Sequence, residues 1–412
     1  SPPIIAAGMV FAADVDGHSV CALDATDGKL AWRFSADGRI DSPPTYYQGL
    51  LVFGSRDGSA YCLRAADGNL VWRFSPNPEG SRRRLICAYG QPESAWPICG
   101  SILVQNGLAY FAAGRNSFTD GGIFLYALDP YSGEVVHRKR MVGPYDEKGF
   151  AIENRDIVKG MSIEGFKGDI FIADDQLLYL RHQAFQPDLS PVPLQDVKQP
   201  HLIPSHGFLE AIPQHRSFWT IDTMLRYDIP TGLGGVHGDI LVIDGSRFYE
   251  VRGYTPGRTV SFDPRAGGYT LYAGMLGAPP KPSVDSATRK QAAGKNSAKR
   301  AKAKVQGPSG VAPSRKLWSN FIPLTGKAMA LAGDVLFVAG TPVVFPERDL
   351  AKAYEGRMGG VLWAASASTG EPLAEYKLDA PPAWDSLAAA NGLLFLSLAD
   401  GRVVCMGPQA DP

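Results

Sequence analysis

The densest run of residues able to do chemistry is Arg82-Arg83-Arg84, followed closely by Gln91, Glu93, Ser94 and Trp96. Neighbouring guanidinium groups grip carboxylate, phosphate or sulfate through paired N–H bonds, and an indole beside them can stack on a sugar ring. Arg115 and Asp120 fall in a lengthened hairpin further on and belong with this cluster. Arg82, Arg83, Gln91, Glu93, Trp96, Arg115 and Asp120, with His206 from a separate loop, are the expected ligand-binding set, for an anionic glycan or a protein. The competing reading is an arginine–glutamate network of structural value alone. His201, His206 and His215 share one loop-rich stretch, but spacings of five and nine suit neither a helical zinc pair nor a zinc-finger pattern. Thr231-Gly-Leu-Gly-Gly235 leads into a strand, so it lacks the helix N-terminus that a phosphate loop uses. No Gly-x-Ser-x-Gly nucleophile elbow occurs. No catalytic residue and no metal ligand is assigned.

Composition narrows the classes further. The chain has 412 residues, with 41 basic and 41 acidic side chains. That balance argues against binding nucleic acid or an anionic membrane over the whole surface. No apolar run approaches the roughly 18 residues of a membrane-spanning helix. Gly 46 and Pro 32 are high for a helical protein and fit many short strands and turns. Five cysteines are too few, and odd in number, for a disulfide scaffold. Cys21, Cys62 and Cys405 share one register, which predicts small buried hydrophobes, while Cys87 and Cys99 share a loop region and are the pair able to form a disulfide. Ser1-Pro2-Pro3 opens the sequence without an initiator Met, as in a mature secreted protein or a trimmed piece of a longer one.

An internal repeat organises the elements that must position these residues. GMVFAADVDGHSVCALDATDGKLAWRF is matched by GLLVFGSRDGSAYCLRAADGNLVWRF, and Gly28 and Gly68 are each followed four residues later by Trp32 or Trp72. A third copy runs GLAYFAAG…GGIFLYALDPYSGEVVH, with His137 where the Trp stood. A Gly opens a β-branched or aromatic run at Gly8, Gly49, Gly107, Gly168, Gly238, Gly333 and Gly392. Each unit reads as a four-stranded antiparallel meander: a tight turn at the opening Gly, a hairpin on Asp-Gly, a third strand ending in Ala-Leu-Asp, and a fourth carrying the Trp. Near-continuous apolarity predicts middle strands buried on both faces.

The unit Asp-Gly-x4-Ala-Leu-Asp-x3-Gly-x3-Trp, seen from Gly17 to Trp32 and imperfectly from Gly58 to Trp72, resembles the repeat of the PQQ-type β-propellers. These include quinoprotein alcohol dehydrogenases and the outer-membrane assembly scaffold lipoprotein. The resemblance is specific over the first 140 residues and diffuse beyond. The Trp-Asp dipeptide of WD40 propellers occurs once, at Trp384-Asp385, before a strand start and not at a strand end.

The resemblance implies an all-β, single-domain propeller over residues 1–412. Seven starts predict seven blades. Eight is the alternative, with the extra blade cut off or hidden in the divergent 140–235 region. The last blade is expected to have three strands or to be completed from upstream. The stretch 279–316 holds ten of the basic residues against Asp285 alone, and reads as a disordered basic insertion between blades five and six.

Catalytic members of the family hold a quinone with an adjacent-cysteine disulfide, a stacking Trp and a calcium ion. This sequence has no adjacent Cys-Cys and no Asp-rich calcium loop, so neither PQQ nor calcium is expected. The resulting expectation is a non-catalytic binding or scaffold module, part of a longer exported bacterial protein in the periplasm or outside the cell. Its ligand, protein or glycan, would sit on the loop-rich channel face. The alternative is a degenerate quinoprotein oxidoreductase or a propeller enzyme acting on acidic sugars.

Overall fold

The repeat pattern becomes regular sheet where apolar runs meet across turns. In the computed structural model, Met9–Asp14 and Ser19–Asp24 pair antiparallel, flanked by Ile4–Ala6 and Leu30–Ser35. The structure describes residues 2–76, 84–88, 90–143, 145–146, 170–180, 183–193, 196–197, 199–204, 219–222, 236–253, 269–277, 314–343, 352 and 355–407.

Eight such sheets follow one another, spanning 4–35, 45–74, 103–146, 171–192, 201–238, 240–322, 328–378 and 382–406. We number them blades 1 to 8. The first strands of blades 1, 2, 3 and 4 touch in succession, as do those of blades 6, 7 and 8, and blade 8 meets blade 1. The sheets therefore close into a propeller with first strands innermost, which leaves no long inner edge exposed.

The blade number is eight, not seven. At Gly8, Gly49, Gly107, Gly333 and Gly392 the Gly precedes a second strand, but the runs after Gly168 and Gly238 are first strands, Phe171–Ala173 and Ile240–Asp244. This shift of frame hides blade 5, whose strands His201–Pro204, Trp219–Asp222 and Val236–Gly238 are too short to give a periodic signal. Blade 8 has three strands among the described residues.

The basic insertion is also displaced from its expected place. Its flanks, Tyr269–Leu276 and Ser314–Ile322, are the third and fourth strands of blade 6, so it lies inside a blade and not between two. Ser314, Arg315 and Lys316 belong to that fourth strand, and the rest of the insertion lies outside the described residues.

Middle strands carry the core, with Leu51, Val52, Phe53 and Cys62 all buried in blade 2. The repeat Trp closes the seam to the following blade. Trp32 Nε1 donates to the Ala65 carbonyl at 3.0 Å, Trp72 Nε1 to Pro130 at 2.9 Å and Trp318 Nε1 to Ala367 at 3.1 Å. Each indole lies where a Cβ would stand on the next blade's turn glycine: Gly68, Gly133 or Gly370. Those glycines also have positive φ, so the Gly in the repeat answers two demands at once. The turn acids act as expected: Asp24 accepts from the Thr26 amide at 2.7 Å, and Asp129 from Tyr131 and Ser132.

All five cysteines are free. Cys21, Cys62 and Cys99 are buried, whereas Cys87 and Cys405 are exposed. Cys405 departs from its expected burial because it sits on the third strand of blade 8, with no fourth strand over it among the described residues. Trp384-Asp385 falls in a bulge of the first strand of that blade, far from a WD40 strand end. No helix among the described residues is long and apolar enough to cross a membrane.

Candidate functional site

In an antiparallel meander the second–third turns and the connections between blades share one face of the ring. On this face the chain between blades 2 and 3 forms an inserted hairpin, Leu85–Ala88 paired with Gln91–Ser94. Gly38 and Ser55 show how closely the two kinds of loop approach there. Ser55 Oγ donates to the Gly38 carbonyl at 3.1 Å, and a Cβ on Gly38 would strike the Asp57 amide.

Glu93 anchors the hairpin. Its Oε2 accepts from Arg56 Nη1 at 3.1 Å and from Arg115 Nη2 at 2.6 Å, and the residue is 1% exposed. Arg56, 3% exposed, also pairs through Nε with Asp41, which in turn accepts from Arg39 Nη2 at 2.8 Å. Burial alone would lower the Arg56 pKa, but the Asp41 and Glu93 carboxylates hold it above its ordinary value. Burial likewise pushes the Cys99 thiol up to about 12, which keeps it neutral beside this network. Two carboxylates thus lie among three guanidinium groups, one link from blade 3, one from blade 2 and one from the connection leading into blade 2.

The other expected residues gather on the same hairpin. Gln91 Oε1 accepts from His18 Nε2 at 3.0 Å, reaching the second–third turn of blade 1. Trp96 is buried, and its Nε1 donates to the Asp120 carbonyl at 2.7 Å. The Asp120 carboxylate pairs with Arg84 Nη1 at 2.7 Å. The structure therefore brings Gln91, Glu93, Trp96, Arg115 and Asp120 together, spanning blades 1 to 3. Arg82, Arg83 and His206 lie outside the described residues. His201, in contrast, is buried in blade 5 and stacks on Tyr179 of blade 4, ring centroids 3.8 Å apart.

Sequence reasoning missed Arg39, Asp41, Arg56, Asp57 and Arg73. Arg73 Nη2 donates to Asp57 at 3.0 Å and Asp37 at 2.9 Å, and its guanidinium lies over the Tyr61 ring. Burial, reinforced by the Asp57 carboxylate, raises the Tyr61 phenol well above its usual pKa. The signal was present in Asp37-Gly-Arg-Ile-Asp41 and Arg56-Asp57-Gly58, two charged loops that topology places on one face.

What this arrangement does chemically is hold charge in balance. Arg39, Arg56, Arg73, Arg84 and Arg115 each pair with a carboxylate of the protein, so the cluster works as a latch between the hairpin and the ring. Among the described residues no three His, Cys, Asp or Glu side chains converge.

Residues 1–140 match the family model for outer membrane protein assembly factor BamB. Among solved structures, BamB from Moraxella catarrhalis is similar over 100% of this chain and 94% of its own, at 13% identity and a TM-score of 0.50. Quinohemoprotein alcohol dehydrogenase ADHIIG from Pseudomonas putida HK5 is similar over 96% of this chain and 69% of its own, at 14% identity and a TM-score of 0.51. A europium-containing methanol dehydrogenase is similar over 96% and 81%, at 12% identity and a TM-score of 0.53. At these identities the likeness establishes the propeller fold. No curated protein sequence matches the chain.

Proposed function

We propose that this chain, a PQQ-type repeat β-propeller, is a non-catalytic scaffold that holds a protein partner on the face carrying the inserted hairpin. The observation that carries this reading is the latch at Glu93. Two guanidinium contacts, one of them buried, fix the hairpin to a closed ring, so the face offers a pre-ordered surface that costs little entropy on binding. The match of residues 1–140 to an assembly-factor family supports a protein partner over a glycan. So does the pairing of the cluster's arginines with carboxylates of the protein. Arg82 and Arg83, next in sequence to the hairpin, are its proposed contact residues, and the reading needs no cofactor. The family's outer-membrane association supports a periplasmic or extracellular place in a bacterium, as part of an exported protein.

A photo-crosslinking amino acid in place of Leu85, on the hairpin, should give a discrete protein adduct in cells of the source organism. The same probe in place of Lys29, on a third–fourth turn of the opposite face, should not. Adducts that are absent from position 85, or identical at both positions, would refute the scaffold face.

A further inference from the structure

The two outer edges of the inserted hairpin are not equivalent. The Ala95 amide donates to the Arg84 carbonyl at 2.9 Å, and this fixes the alternation along the pair. Ile86 and Ala88 turn their backbone groups inward to Glu93 and Gln91, while Leu85 and Cys87 turn theirs outward. On the other strand the outward positions are Pro92 and Ser94. Pro92 has no N–H, and the Ser94 amide donates to the Arg56 carbonyl of blade 2 at 2.8 Å. That edge is closed by a proline and by the ring.

Among the described residues, the edge with Leu85 and Cys87 has no such cover. Leu85 is 50% exposed, Cys87 is exposed, and among the described residues no hydrogen bond reaches the outward backbone groups of either. Natural sheets shield such edges unless they are used. The hairpin is also held in place from beneath through Gln91, Glu93 and Trp96, so the edge is presented in a fixed register.

We infer that this edge takes up an extended segment of the partner polypeptide as a third strand, one in which apolar residues alternate with acidic ones. The backbone of Leu85 and Cys87 supplies the pairing groups, and their side chains supply an apolar face. The acidic preference follows from Arg82-Arg83-Arg84, which lead directly into the strand. Arg84 already holds the Asp120 carboxylate at 2.7 Å, which shows the chemistry favoured at this end. This inference rests on the scaffold reading above and specifies how its partner binds.

The probe is a nine-residue synthetic peptide alternating Val with Asp or Glu, compared with the same peptide N-methylated at alternate residues along its pairing edge. Binding of the first should slow hydrogen exchange at the Leu85 and Cys87 amides, and the N-methylated form should not bind. Cys87→Pro removes an outward N–H and no hairpin bond, so it should weaken binding at least about ten-fold. Cys87→Ser keeps that N–H and should bind like the parent. Equal binding to the Pro and Ser variants, no binding at millimolar peptide, or binding without slowed exchange at the two amides would each overturn the inference. A crosslinked adduct at position 85 together with any of those results would leave the scaffold face standing and remove strand pairing alone.

Discussion

At the scale of single residues, two buried carboxylates have opposite characters. Glu93 is shared by Arg56 and Arg115, so Glu93→Ala takes a carboxylate from both and leaves the almost wholly buried Arg56 with Asp41 alone. Removing one partner of a buried ion pair costs about 3–5 kcal/mol. A loss of that order should appear in denaturant unfolding, with faster hydrogen exchange through residues 85–94. Glu250, fully buried in blade 6, is instead pushed up to about 7, chiefly by burial, against the pull of Arg252 and the His237 amide. A carboxyl raised above its unfolded value stabilises the fold while protonated, and that contribution is lost as pH rises through 7. The melting temperature should therefore fall between pH 6 and pH 8, and Glu250→Gln should flatten that fall. The turn acids Asp24 and Asp129 act in the other direction. Backbone N–H groups lower their pKa values, so their contribution is lost only in acid.

At the scale of the element, the indole on the next blade's turn explains why Gly and Trp recur together. Gly133 has φ +73° and the Trp72 ring where a Cβ would go, whereas Gly245 has φ +58° and open space. Gly133→Ala should cost about 1–3 kcal/mol by denaturant midpoint, and Gly245→Ala only about 1 kcal/mol. The joint recurrence was legible in the first two units because Gly28 to Trp32 and Gly68 to Trp72 repeat a four-residue offset. Trp318 was not legible as its counterpart, since the basic insertion separates it from the rest of its blade. The hairpin residues were legible as a cluster but not as a latch. Glu93's partner Arg56 comes from a turn 37 residues away and Asp41 joins only through Arg56, and the closed ring alone brings these segments onto one face.

At the scale of the whole molecule, the repeat announced a radial all-β fold, and the blade count failed for a definite reason. Glycine marks a turn, but not which turn of the meander, and blade 5 has no Gly-led apolar run to mark it. The place of the basic insertion has a consequence for stability. Leu276 and Ser314 face each other across the third and fourth strands of blade 6, so its two ends already lie side by side. Replacing residues 278–312 with a short Gly/Asn turn should raise unfolding free energy by about 2 kcal/mol, because closure entropy costs about 0.6 kcal/mol less for each of the roughly three halvings of loop length. A thermal and denaturant comparison with the parent chain checks this.

The indole contacts all run the same way, from one blade to its successor. Trp32 finds its carbonyl 33 residues downstream, Trp318 49 and Trp72 58. During synthesis at about 5–20 residues per second, each of these tryptophans is made roughly 2–12 s before its resting place exists. The nascent chain thus carries a moving front of unhoused aromatic surface, one module deep, that travels with the ribosome and disappears only as each following turn emerges.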